Sequence, residues 1–193
     1  IESASPATSR SRTKKYAVPF VDPREHYRRL KAEIDEAIIG CLTRGDLIHR
    51  QQLFDFEKHL AQYVGVSHAV GLNSGYHALL FSLLAKGIGQ GDEVVTVAHT
   101  FAASVSAIVH CGAKPVLVDV GRDFNMAPDL VEQAITPRTK ALMPVHLNGR
   151  VCDMDRIMKI AQKHKLAVVE DAAQALGATF RGRMAGSFGD AGC

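Results

Sequence analysis

Apolar positions divide the chain into two textures. From Tyr27 to Leu42 the apolar residues Tyr27, Leu30, Ile34, Ala37, Ile38, Cys41 and Leu42 recur at three- and four-residue intervals, and Leu53, Phe56, Leu60 and Tyr63 repeat the pattern. That spacing stacks the apolar groups along one side of a helix, so two amphipathic helices are predicted. Thr43–Arg44–Gly45–Asp46 between them reads as a helix stop and turn. After Gly65 the texture changes to short apolar runs. His68–Leu72, Glu93–Val97, Pro115–Val118, Ala141–Val145 and Ala167–Val169 predict strands, with helices near Tyr76–Ala85, Phe101–His110, Pro128–Ala134 and Met154–His164. Strands alternating with helices argue for βαβ units and a largely parallel sheet covered on both faces. The expected organisation is a disordered tail over 1–16, a helical segment over 17–65 and an α/β domain over 66–193.

Composition narrows the function classes. With 193 residues, 47% hydrophobic and 22% charged, the chain can build a sizeable core without metal or disulfide staples. A net charge of +3 is too small and too evenly spread for a nucleic-acid footprint. No apolar run approaches the roughly 20 residues a membrane span needs. Cys41, Cys111, Cys152 and Cys193 lie far apart with no zinc-ligand spacing, and read as small buried hydrophobes of a reducing compartment, hence a cytoplasmic protein. Arg10, Arg12, Lys14 and Lys15 sit in the Ser/Thr-rich tail, which reads as a disordered leader, or as a scrap of targeting peptide.

Ligands of open α/β sheets bind beyond the carboxyl ends of the strands, and four strand-end segments there carry candidate chemistry. Asn73–Ser74–Gly75–Tyr76–His77 places a Ser-Gly turn at a helix start, where free N–H groups and the helix dipole suit a phosphate; an ordinary N-cap has the same form. Val169–Glu170–Asp171 ends an apolar strand in two acids, with Gln174 three residues on. An aspartate there can pair with a protonated heteroaromatic nitrogen and so keep the ring an electron sink, while Gln174 can reach a neighbouring ring hydroxyl. A magnesium carboxylate or a helix N-cap is the alternative. Phe101, just after a strand, offers a flat face for a ring or belongs to the core. His146, also at a strand end, is either polar lining of a site or a satisfied buried histidine. GxGxxG after a strand, GxxxxGK[ST], GxSxG and HExxH are all absent.

Taken in order, these segments resemble the DegT/DnrJ/EryC1/StrS aminotransferases, a branch of the fold-type-I pyridoxal-phosphate enzymes. The likeness runs from about Val18 to Cys193. It covers Val18–Pro19–Phe20, Phe56–Glu57, Tyr63–Val64–Gly65–Val66, Asn73–Ser74–Gly75, Gly91–Asp92–Glu93–Val94–Val95, Phe101, Gly112–Ala113–Lys114–Pro115–Val116, Val118–Asp119, His146–Leu147 with Gly149, Asp153–Met154, Glu170–Asp171–Ala172–Ala173–Gln174 and Gly186–Ser187–Phe188–Gly189–Asp190.

The resemblance implies the three-layer large domain of the aspartate aminotransferase fold, incomplete at its C-terminus, and pyridoxal 5'-phosphate as cofactor. It gives Asp171 the pyridine nitrogen, Gln174 the ring hydroxyl, Phe101 the stacking face, and Gly75, Tyr76 and His77 the phosphate. It also implies a homodimer that moves an amino group from glutamate or glutamine to a keto sugar, commonly nucleotide-linked, with no nucleic-acid or membrane partner. The family's phosphate turn is usually Ser-Gly-Thr; Tyr76 stands here in place of Thr, with His77 after it. The family's Schiff-base lysine follows soon after the stretch matching Gly189–Asp190, and Lys114, Lys140, Lys159, Lys163 and Lys165 occupy no matching position. The 193 residues alone are therefore expected to hold the cofactor loosely at best and to turn nothing over. Three alternatives stay open: a relative with histidine for lysine that dehydrates sugars with the aminated cofactor, a non-catalytic protein on the same fold, and a metal enzyme using Glu170 and Asp171.

Overall fold

The computed structural model describes residues 19, 21–45, 47–48 and 50–193. The expected tail over 1–16, together with Val18, Phe20 and Asp46, lies outside the described residues. The chain divides into two compact units, 1–50 and 51–193. The helical segment expected over 17–65 is thus shared between them, its second helix belonging with the α/β unit.

In the first unit, α1 spans Pro23–Arg44. Pro23 fits the first turn, where a missing N–H costs nothing. The Asp22 carboxylate caps the helix by accepting from the Glu25 N–H at 3.0 Å. Gly45 closes it in the left-handed conformation (φ 69°), which a Cβ would disfavour. Ion pairs of Glu25 with Arg28 and of Lys31 with Asp35 run along its surface.

The second unit begins with α2 (Gln51–Val64). Its sheet comprises β1 (Glu93–Val97), β2 (Lys114–Val118), β3 (Thr139–Leu142), β4 (Ala167–Glu170) and a short β7 (Ala191–Gly192), all parallel, in the order β2-β1-β3-β4-β7. Helices α3 (Gly75–Ala85), α4 (Ala102–His110), α5 (Pro128–Ala134) and α6 (Met154–His164) fill the places the spacing predicts. A two-stranded antiparallel hairpin, β5 (Thr179–Phe180) and β6 (Arg183–Met184), precedes β7.

All five residues of β1 are buried, as expected of a strand with helices on both faces. Val94, Ala141 and Val169 pack on one side with Leu79 and Leu83 of α3 and Ala107 and Ile108 of α4. Val95, Leu142 and Val168 pack on the other with Val131 of α5 and Met154 and Ile157 of α6. The chain leaves β1 toward α4 on the first face and leaves β3 toward α6 on the second. The sheet therefore has its topological switch point between the carboxyl ends of β1 and β3, the place where open α/β sheets bind ligands.

One expected strand is corrected. Residues His68–Leu72 form no ladder among the described residues, and Val70 stays 76% exposed. A run of apolar residues becomes a strand only beside a partner, and the sheet order places none against this segment.

Candidate functional site

Asp171 stands just past the carboxyl end of β4. Its backbone prolongs the β3–β4 pairing: its N–H donates to the Pro144 carbonyl (2.9 Å) and its own carbonyl accepts from the His146 N–H (3.0 Å). The residue is 7% exposed. One carboxylate oxygen, Oδ2, accepts from the Ser104 hydroxyl at 2.7 Å, and Oδ1 accepts a longer bond from the Ala173 N–H at 3.3 Å. Ser104 lies in the first turn of α4 and is fully buried. Phe101 immediately precedes that helix and is 74% exposed, so its ring is not part of the core.

Helix α3 packs beside α4 on the same face, and as α4 leads back into β2, α3 leads into β1, so each helix starts toward the carboxyl end of the sheet. The Ser74 hydroxyl caps α3 by accepting from the His77 N–H at 3.3 Å. The N–H groups of Gly75 and Tyr76 carry no hydrogen bond among the described residues, and a Cβ built on Gly75 would meet nothing within 4 Å. Two free donors, an open approach and the positive end of a helix dipole suit a phosphate. The side chains that follow are used elsewhere. The Tyr76 hydroxyl meets His110 Nδ1 at 2.5 Å, and His77 Nδ1 meets Ser74 Oγ at 2.9 Å. The donors left free at this helix start are therefore backbone ones.

Gln174 is exposed, and its Oε1 accepts from the Asn148 N–H at 2.8 Å. That bond fixes the amide orientation and leaves the NH₂ end as a free donor. Asn125 joins the neighbouring turns: its Oδ1 accepts from the Leu147 N–H (3.4 Å) and its Nδ2 donates to the Arg150 carbonyl (3.0 Å). The turns after β2, β3 and β4 thus form one hydrogen-bonded rim. Phe124 (φ 66°) and Asn148 (φ 53°) within it sit in the left-handed region that non-glycine residues rarely enter.

His146 does not line this site. Its side chain is fully buried, its Nδ1 accepts from the Cys152 N–H at 3.2 Å and its Nε2 contacts Glu170 Oε2 at 2.9 Å. An Nδ1 that accepts leaves the proton on Nε2, which donates to Glu170. The satisfied buried histidine is the correct reading.

Glu170 likewise turns inward. Its Oε1 accepts from the N–H groups of Phe188 and Gly189 (both 2.7 Å), and its Oε2 accepts from Gly186 (2.9 Å) as well as His146. Burial pushes its carboxyl up, but the His146 hydrogen bond and those from Gly189 and Gly186 outweigh it and hold the group below the usual range. With both oxygens so occupied, Glu170 does not share a metal with Asp171, and the described residues hold no group of three or more metal-ligating side chains. Ser104 and the role of Glu170 were not read from the sequence. A signal for Ser104 existed: Ser104, Ala107, Ile108 and Cys111 form one buried stripe, and a lone hydroxyl in such a stripe needs a partner.

This parallel sheet, with a buried aspartate just past the end of β4, has the fold of the pyridoxal-phosphate aminotransferases. The chain superposes on the Streptomyces venezuelae DesV structure, solved in complex with a ketimine intermediate, with a TM-score of 0.86 and 48% identity over 88% of this chain and 46% of that one. Against Streptococcus pneumoniae Spr1654 in its PLP form the TM-score is 0.79, with 38% identity over 83% of this chain and 45% of that one. The DegT/DnrJ/EryC1/StrS aminotransferase family matches residues 28–193, and the chain belongs to it. GDP-perosamine synthase of Caulobacter vibrioides is 52% identical over 139 residues, 72% of this chain and 38% of that protein. The chain spans less than half the length of each of these three relatives.

Proposed function

We propose that this chain is the cofactor-binding part of a pyridoxal-phosphate-dependent aminotransferase that moves an amino group from glutamate or glutamine to a keto sugar, commonly nucleotide-linked. The observation that carries the reading is the buried, hydrogen-bonded Asp171 carboxylate just past the end of β4, in a chain 52% identical over 139 residues to a perosamine synthase. The residues present fit the cofactor: a carboxylate for a ring N–H⁺, an exposed aromatic face, a free amide donor and two unpaired N–H groups at a helix start.

Gly75 and Tyr76 bind the phosphate through their N–H groups, aided by the α3 dipole. Phe101 gives the ring a face to lie on. Asp171 holds a proton on the ring nitrogen, because a carboxylate in contact stabilises the cationic form. The Gln174 NH₂ donates to the ring hydroxyl oxygen. When bound, the cofactor supplies an electron sink for a carbanion formed on the substrate. The base that moves the substrate proton and anchors the cofactor is a lysine outside this chain. Lys114, Lys140 and Lys165 stand at or beside the amino ends of β2, β3 and β4, opposite Asp171. The working protein is a cytoplasmic homodimer with no nucleic-acid or membrane partner, and no described helix is long and apolar enough to cross a membrane.

The test is a transamination assay on the intact gene product. Keto sugars linked to dTDP, UDP or GDP are offered with glutamate or glutamine, and 2-oxoglutarate or 2-oxoglutaramate is measured. Turnover with one donor and one sugar class is expected. Dehydration without amino transfer would replace this reading with the dehydratase, and cofactor-independent behaviour would sink both.

A further inference from the structure

Asp171 is aimed by a side chain that the family resemblance does not assign. Ser104 Oγ lies 2.7 Å from Asp171 Oδ2, 2.8 Å from Thr100 Oγ1 and 3.3 Å from the Phe101 carbonyl. Ser104 has one proton for two acceptors, Asp171 Oδ2 and the more distant Phe101 carbonyl, so only one of these two contacts is its hydrogen bond. An ionised Asp171 has no proton to give, and Ser104 has one. That proton goes to the nearest and only charged acceptor, Asp171 Oδ2. The Thr100 hydroxyl must then donate to Ser104. Thr100 is half-buried while Ser104 is fully buried, so the relay runs from the partly exposed turn before α4 inward to the carboxylate.

We propose that Ser104 is a positioning residue for the cofactor: through the Thr100–Ser104–Asp171 relay it locks the carboxylate plane to the turn that carries Phe101. This rests on the aminotransferase reading. The turn 100–104 then sets two things at once, the ring's stacking face through Phe101 and the point where its nitrogen is met through Asp171. The Ala173 N–H, at 3.3 Å, is the longer of the two tethers on the carboxylate and does not fix its plane alone. Alanine at 104 would keep the buried stripe apolar and the helix intact, yet leave the carboxylate free to rotate. A serine here costs desolvation and is compensated by its partners.

The test uses the intact gene product and two ligands, pyridoxal 5'-phosphate and its 1-deaza analogue, in which C–H replaces the ring nitrogen. Both keep the phosphate and the ring face; only the first can pair with Asp171. The parent is expected to prefer pyridoxal 5'-phosphate. Ser104→Ala is expected to shrink that preference about tenfold, equivalent to ~1.4 kcal/mol, while the analogue's affinity moves less than about twofold. Ser104→Thr, which keeps a hydroxyl, restores the preference. Thr100→Val gives a smaller loss in the same direction and serves if Ser104→Ala does not fold. Equal weakening of both ligands makes Ser104 merely structural and overturns the proposal, as does an unchanged preference. A parent that binds both ligands equally removes the role of Asp171, and this inference with it. A parent that binds neither overturns the aminotransferase reading itself.

Discussion

Replacing Glu170 with glutamine removes one charge and almost no volume, yet the structure makes it a severe change. The carboxylate accepts four hydrogen bonds, two on each oxygen: Phe188 and Gly189 on Oε1, Gly186 and His146 on Oε2. A glutamine amide has one accepting end, so either orientation turns its NH₂ toward two donors. His146 cannot relieve the conflict by shifting its proton, because Nδ1 already accepts from the Cys152 N–H. Two donors shielded from water, partly or fully, lose their partner, and at about 1–3 kcal/mol each the loss is about 2–6 kcal/mol. For a chain of this size each kcal/mol lowers the melting midpoint by about 2–4 °C, so Glu170→Gln should drop it by roughly 12 °C. Thermal unfolding followed by circular dichroism measures this, with urea titration to verify an unchanged slope. A drop under about 4 °C, the low end for two stranded donors, would refute the idea that Glu170 gathers the 186–189 turn.

Other consequences follow from the same contacts. Glu170, Glu93 and Asp190 all sit below their ordinary values of 4.5, 4.5 and 3.8: Glu170 by the hydrogen bonds that outweigh its burial, Glu93 through the Thr136 hydroxyl and then Arg138, and Asp190 by Lys86 and the Val168 N–H against its own burial. Because the unfolded chain takes up these protons first on acidification, the stability they contribute is present above about pH 4.5 and fades as pH falls through the lower folded values. The urea midpoint should therefore fall steadily below pH 5, and a midpoint flat from pH 5 to pH 3 would contradict the assignment. Gly192→Ala places a methyl group on the Gly186 carbonyl and Cα, and should cost about 1–3 kcal/mol by prying β7 from β4, read as faster amide exchange at Cys193 than at Val95. Ser74→Ala removes the α3 cap and should cost about 1 kcal/mol in urea unfolding, while Ser74→Thr stays near the parent.

Much of the fold was legible because it rests on burial periodicity. The runs Glu93–Val97 and Pro128–Ala134 map onto β1 and α5 residue for residue, since each must hide the same positions the pattern displays. His68–Leu72 shows the limit of that signal, for an apolar run carries no information about whether a neighbouring strand exists to pair with it. The hairpin β5–β6 and the two-residue β7 were invisible for the opposite reason: they are too short for any period. At the site, Asp171 and Phe101 stood out by their strand-end positions. Ser104 did not, because its meaning lies in a contact 67 residues away. His146 remained ambiguous until its two nitrogens were seen to be taken, by Cys152 and Glu170.

If these residues cradle pyridoxal phosphate, a lysine of the intact gene product other than those present here must anchor it. The most direct measurement is borohydride reduction of the intact gene product loaded with pyridoxal 5'-phosphate, followed by peptide mapping, beside the same treatment of the 193-residue chain. One labelled lysine is expected in the intact protein, C-terminal to the residue matching Cys193, with no stoichiometric label on the 193-residue chain. Stoichiometric label on Lys114, Lys140, Lys159, Lys163 or Lys165, or an intact protein that takes no label, would contradict it.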